Sequence, residues 1–188
     1  MRLRDWAYIG ANNSATNPTA GMWMVRDGHE GGSGGPFYRS LLNQCTSTNQ
    51  EITYIVNYGE AQTEAFRFNI LNSYTLVMNN GAAPGPVDTS WFSGMGLTGY
   101  VGPSGRGSVT CAGITNRDSS YIYTVGFSNA AAQYFTTASA IDGSFTMAAM
   151  LPSTSGAYTM KVYKNELAVY TATVDVAAGA TTTVYRSR

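Results

Sequence analysis

The sequence predicts an all-β chain: an N-terminal extended arm plus a small antiparallel β unit, followed by a C-terminal seven-stranded β-sandwich. Three observations predict it. Apolar residues recur at every second position in many short runs, the period of a half-buried strand. Turn-forming Gly, Pro, Asn and Asp separate those runs, and about seven of the runs fall within the last ~90 residues, the density of a sandwich. No amphipathic run exceeds two helical turns. The expected organisation is 1–50 for the arm and loops, 51–81 for the β unit, 82–94 for a Pro/Gly linker and 95–188 for the sandwich.

Along the first fifty residues, Trp6-Ala7-Tyr8-Ile9 is a short apolar patch, Gly10 to Gly21 is polar and loop-like, and Met22 to Val25 reads as a short buried strand. Phe37 to Gln44 carries Leu41 and Leu42 and reads as one or two helical turns. The alternation sharpens after Glu51. Ile52, Tyr54, Val56 and Tyr58 form one run; Phe66, Phe68 and Ile70 a second; Tyr74, Leu76 and Met78 a third. Three such strands cohere when their apolar face is covered. Pro84-Gly85-Pro86 then excludes a central strand. Leu97 to Val101, Ser108 to Ile114, Tyr121 to Phe127, Phe145 with Met147, Tyr158 to Val162, Leu167 to Val176 and Thr181 to Tyr185 supply the sandwich strands.

Charge limits the partners. Charged residues make up only 12% of the chain, about half the usual share, and 11 basic residues balance 11 acidic ones. With no cationic stripe, nucleic acid is excluded as a partner. No apolar stretch reaches membrane-span length, and the opening Met-Arg-Leu-Arg-Asp-Trp has no apolar core of signal-peptide length. Cys45 and Cys111 are too few for a disulfide framework and read as two thiols in a reducing compartment. A polar, uncharged surface also suits a subunit that is covered by its neighbours.

Motifs with chemical potential resolve mostly into loops. Gly31-Gly32-Ser33-Gly34-Gly35-Pro36 imitates the nucleophile loop of chymotrypsin-like proteases, but Gly32 replaces its Asp. The sole His, His29, sits four residues before Ser33 rather than on a distant strand. Asp27, His29 and Glu30 lack the further N or S ligands of a zinc site. Asn116 to Ser119 and Asp142-Gly143 read as turns, Gly143 supplying a positive φ. No catalytic residue, metal site or cofactor is expected. Trp91-Phe92 is a candidate ligand or partner contact, and Trp6, Tyr8, Trp23 and Met24 are candidate assembly anchors.

From residue 141 the text runs Ile-Asp-Gly-Ser-Phe-Thr-Met, then Leu151-Pro152, Gly156-Ala157-Tyr158, an alternating run to Val176, and Ala177-Ala178-Gly179 before Thr181 to Val184. This order resembles the carboxypeptidase-regulatory-like (prealbumin-like, CnaB-like) sandwich, an Ig-like fold, over residues 95–185 and most closely over 141–184. The resemblance implies an accessory module that binds, spaces or displays, and no enzyme. Lys161 alternates away from Tyr158, Met160 and Val162, so an isopeptide bond is not carried over.

The expectation is therefore a non-enzymatic structural protein of a bacteriophage virion: a capsid decoration, neck, tail or baseplate component. It would be made in the host cytoplasm and assemble as a homo-oligomer through its arm. Its partners would be other virion proteins and a host-surface glycan, with no nucleic acid and no membrane. The alternatives are a pilus or filament subunit and a solitary carbohydrate-binding sandwich.

Overall fold

The computed structural model describes residues 8–12, 21–26, 34–38, 41–45, 50–55, 64–65, 67, 71, 73–80, 82–85 and 87–185. The described chain is all-β, with twelve strands, three single turns of 3-10 helix and no α-helix among the described residues.

Five strands precede residue 80. β1 (Tyr8–Asn12), β2 (Gly21–Arg26) and β5 (Tyr74–Asn79) form an antiparallel sheet in the order β1-β2-β5. β3 (Leu41–Cys45) and β4 (Gln50–Tyr54) form a hairpin. The Arg26 guanidinium lies 5.7 Å from the centre of the Tyr54 ring, and that ring meets Tyr74 at 6.5 Å, so these aromatic contacts tie hairpin to sheet. Residues 41–45 are a strand where the sequence suggested helical turns. The pairing with β4 is a tertiary contact that weak local propensity cannot oppose. Likewise β4 and β5 pair with β3 and β2, not with each other. The expected strand at Phe66, Phe68 and Ile70 lies outside the described residues.

Seven strands build the sandwich. One sheet has the order β11-β10-β7-β8: Leu167–Val174, Tyr158–Lys164, Tyr123–Ser128 and Gln133–Thr137. The other has the order β12-β6-β9: Thr181–Thr183, Gly107–Cys111 and Phe145–Met150. All pairs are antiparallel except β12 with β6, which run parallel. The core between the sheets is the alternate residues that the sequence marks: Val109 and Cys111; Tyr123, Val125 and Phe127; Tyr158, Met160 and Val162; Val174 and Val176. Phe127 and Phe145 face each other across it at 6.3 Å.

The count of seven is reached differently from the sequence reading. Residues 97–101 are turns, because Gly96 and Gly99 take φ values of 61° and 83°, which a strand does not accommodate. β8 takes the vacated place.

One face departs from simple alternation. Every residue of β7 is buried. Its outward residues Thr124, Gly126 and Ser128, with Gln133, Phe135 and Tyr163 beside them, would face water in a free-standing sandwich. Instead the Gly34–Tyr38 segment is buried at this sheet: Phe37 packs edge-on to Tyr163 at 5.1 Å, and the Gly35 N–H donates to Gln133 Oε1 at 3.0 Å. Farther along, Arg67 Nε donates to the Asn129 carbonyl at 2.9 Å, and Glu64 pairs with Lys161 at 3.7 Å. Gly126 lies against the Tyr163 ring, where a Cβ would make an ordinary 3.5 Å contact.

Candidate functional site

The segment joining the two parts, residues 87–106, carries the exposed Trp91 beside the half-buried Phe92 and Tyr100. Asp88 opens it. Its carboxylate accepts the Ser90 N–H at 2.9 Å, an Asx turn that starts a single 3-10 turn over Ser90–Gly94. The same hydrogen bonding to Ser90 holds the exposed Asp88 carboxyl below the usual carboxylate range. Backbone bonds from Phe92 to Thr89, Met95 to Phe92 and Tyr100 to Leu97 then fold the segment tightly.

This turn sets Trp91 outward. Its indole N–H donates to the Asp88 carbonyl at 3.2 Å, and its ring lies 4.2 Å from that of Phe92, which in turn meets Tyr100 at 6.0 Å. Trp91 remains 57% exposed and Met95 54%, while Phe92 and Tyr100 are half-buried. Arg106 fastens the far end, donating from Nε to the Val101 carbonyl at 2.7 Å and from a terminal nitrogen to Ala149 at 2.8 Å. The result is an aromatic ledge whose backbone is pinned at both ends.

Charged groups elsewhere are committed to one another or to the backbone. Glu64 faces both Arg67 and Lys161, and burial lowers the Arg67 pKa against the opposing pull of Glu64. Lys164 pairs with Asp118 at 3.5 Å and lies 3.9 Å over the Tyr121 ring. Arg117 donates to the Ala140 and Ile141 carbonyls. Together with Arg26 over Tyr54 and Arg106 on its carbonyls, every described Lys and Arg side chain has a partner. Among the described residues no three His, Cys, Asp or Glu side chains come together as a metal site.

The residues singled out from sequence are not gathered into one place. Trp23 is half-buried in β2, its indole N–H donating to Asn79 Oδ1 at 3.1 Å, and Met24 is buried. Tyr8 lies in β1 opposite Val25. Trp6, Asp27, His29, Glu30 and Ser33 lie outside the described residues, as does the Cys45 side chain. Cys111 is a buried free thiol directed at the Gly113 carbonyl. Sequence reasoning missed Asp88 and Arg106, the two groups that fix the ledge. The Asp88-Thr89-Ser90 spacing was the available signal for the first; the second, bridging to Ala149, has no local signal.

Comparison with known families decides the relationship. Residues 2–99 match the family model described as rhamnogalacturonan lyase B, N-terminal. The chain belongs to that family. Residues 103–184 match the model described as polysaccharide lyase family 4, domain II, so the boundary between the two matches falls at the ledge segment. Similar proteins include rhamnogalacturonate lyase A of Emericella nidulans, 39% identical over 161 residues, and that of Aspergillus aculeatus, 38% identical over 161. Each comparison covers 85% of this chain and 30% of the relative. The Aspergillus niger rhamnogalacturonate lyase A is 36% identical over 160 residues, covering 85% of this chain and 31% of the relative. The chain thus spans about a third of the length of the curated relatives it matches.

These findings correct the sequence reading at several points. The C-terminal part is a lyase-family sandwich, not a carboxypeptidase-regulatory-like one. The turns that suggested the latter (Asp142-Gly143, Gly156-Ala157-Tyr158, Gly179) are demanded by strand-to-strand geometry in many sandwiches and do not separate families. The bacteriophage virion function falls with it, and so do virion partners and virion localisation, because the relatives are fungal lyases. The non-enzymatic expectation is overturned as well, since those relatives are named as enzymes. Low charge and abundant Gly, Ser, Thr and Asn describe a turn-rich β surface and carry no information about assembly.

Proposed function

We propose that this chain is a polysaccharide-engaging part of a lyase that acts on rhamnogalacturonan. The observation that carries the proposal is the pair of adjoining matches, residues 2–99 and 103–184, to two parts of such enzymes. Of the sequence-level alternatives, the carbohydrate-binding one is retained in this form.

The chemistry such an enzyme performs sets what its parts must supply. Cleavage beside a uronate by elimination removes the ring proton next to the carboxyl group and expels the neighbouring glycosidic oxygen, leaving a double bond. A base must take the proton, and a cation must stabilise charge building on the carboxylate. The described cations are held by other partners, so the described residues suit holding and orienting the polymer. Support for that role comes from the rigid packing of Gly34–Tyr38 and Arg67 onto the sandwich, which keeps the two matched parts in a fixed relation.

Affinity electrophoresis of the chain through gels containing rhamnogalacturonan tests this reading. Retardation is expected with that polymer and not with dextran. Equal mobility of the folded protein in both gels would overturn it. In parallel, the ultraviolet absorbance of unsaturated uronate ends reports whether bound polymer is cleaved.

A further inference from the structure

We propose that the Trp91–Phe92 ledge is a stacking subsite for a neutral deoxyhexosyl residue, a rhamnosyl unit of the polymer, and that it rejects uronate. This rests on the proposed engagement of rhamnogalacturonan.

Three features carry it. First, Trp91 is held rigid while more than half of its surface meets water. Its N–H is bonded to Asp88, its ring is braced by Phe92, and Arg106 clasps the segment to the sandwich edge. A pre-set aromatic face needs little ordering when a flat ligand arrives, which is how preorganised contacts gain affinity. Second, the turn exposes two large apolar side chains among its serines, the Trp91 indole and, four residues on, Met95. Pyranose rings stack on indoles through a face of C–H groups, and a 6-deoxy sugar adds a methyl group that the apolar ledge receives without desolvating a hydroxyl.

Third, the charge beside the ledge has the wrong sign for a uronate. The exposed Asp88 carboxylate lies in the same turn, bonded to Ser90. The nearby cation, Arg106, is occupied by two backbone carbonyls. Like charges repel, so a uronate bound at this turn meets a cost that a neutral sugar escapes. A polymer containing both residue types would then be read in register, its neutral unit on the ledge and its uronates displaced to either side.

Isothermal titration of the chain with rhamnogalacturonan oligosaccharides and, separately, with oligogalacturonates tests the subsite. The variants are Trp91→Ala, Trp91→Phe and Asp88→Asn, each checked for fold by circular dichroism; Trp91 is exposed, so its loss leaves the core intact. Trp91→Ala is expected to weaken rhamnogalacturonan binding about tenfold, and Trp91→Phe to restore most of it. Asp88→Asn is expected to raise affinity for oligogalacturonates relative to rhamnogalacturonan oligosaccharides. Unchanged rhamnogalacturonan binding by Trp91→Ala would overturn the subsite and leave the wider functional reading standing. Oligogalacturonates binding the native chain as tightly as rhamnogalacturonan would overturn the neutral-sugar assignment alone. Absence of any rhamnogalacturonan binding by the native chain would remove the wider reading and the subsite with it.

Discussion

Tyr134 and Tyr158 satisfy both backbone groups of a single residue. The Leu151 N–H donates to the Tyr134 hydroxyl at 2.8 Å, and the Tyr158 hydroxyl donates to the Leu151 carbonyl at 3.0 Å. The two rings meet edge-on at 5.9 Å, both buried in the core. The clamp holds the corner where β9 ends, just before Pro152, and it joins strands of one sheet to the exit of the other. Tyr158→Phe keeps the ring and removes the bond, so a loss of about 1–2 kcal/mol in denaturant unfolding is expected. The double variant with Tyr134→Phe should depart from additivity by about 0.5 kcal/mol or more. Strict additivity would mean that the two hydroxyls act independently.

Glycine positions separate space from conformation. A Cβ on Gly107 would lie 2.2 Å from the Ala177 carbonyl oxygen and 2.7 Å from Val176 Cγ1, a clash with backbone that cannot yield cheaply. Gly107→Ala should cost more than about 2 kcal/mol. Gly85 has nothing within 4 Å of the corresponding point. Gly85→Ala should be neutral or stabilise by about 0.5 kcal/mol through the unfolded chain. Thermal midpoints of the two variants in the same buffer decide the contrast.

Acid should weaken the fold through a group that the sequence marks only as a turn. Asp142 accepts the Ser144 N–H at 2.9 Å, and hydrogen bonds from Ser144 and Ser139 lower its pKa from 3.8 to about 2. A carboxyl whose pKa is depressed in the folded state binds fewer protons there than in the unfolded chain. Its contribution is therefore complete above the ordinary value and is lost as the pH falls from about 4 through 2. Asp88 and Asp118 shift in the same direction. Asp142→Asn should lower the melting temperature at neutral pH and flatten its decline between about pH 5 and pH 2. A decline of unaltered slope would assign acid sensitivity to other groups.

The seam between the two matched parts is testable at Phe37, which is 3% exposed. Phe37→Ala should cost about 3–5 kcal/mol and open the buried Tyr163 to nitration. Loss of stability without gain of Tyr163 reactivity would show that other groups continue to cover it.

Most of the sandwich was legible, because its core residues alternate over runs long enough to fix the face: Tyr158, Met160 and Val162 lie where the period puts them. The seam was not legible. Thr124, Gly126 and Ser128 look solvent-facing from their own strand, and only the return of Gly34–Tyr38 from far away in sequence buries them. The opposite error occurred at β5. Tyr74, Leu76 and Met78 are 51%, 50% and 76% exposed although their alternation resembles a core stripe, since period alone says that one side is apolar, never that something covers it. At the ledge, the sequence named Trp91 and Phe92 and favoured their burial, whereas Trp91 is 57% exposed. The bond from Arg106 to Ala149, which ties the segment to the sandwich, spans 43 residues and has no local signal.

The parallel seating of β12 against β6 bears on how this protein withstands pulling. The first and last strands of the sandwich lie side by side, joined by Ser108 to Ala180 and Val184 to Thr110 bonds, each 2.9 Å. A force drawing the two ends apart would load those bonds together, as in a lap joint, rather than peel them one by one. Such shear raises the mechanical barrier to unfolding without adding equilibrium stability. A domain made this way can be tethered at both ends and tugged while it keeps its shape.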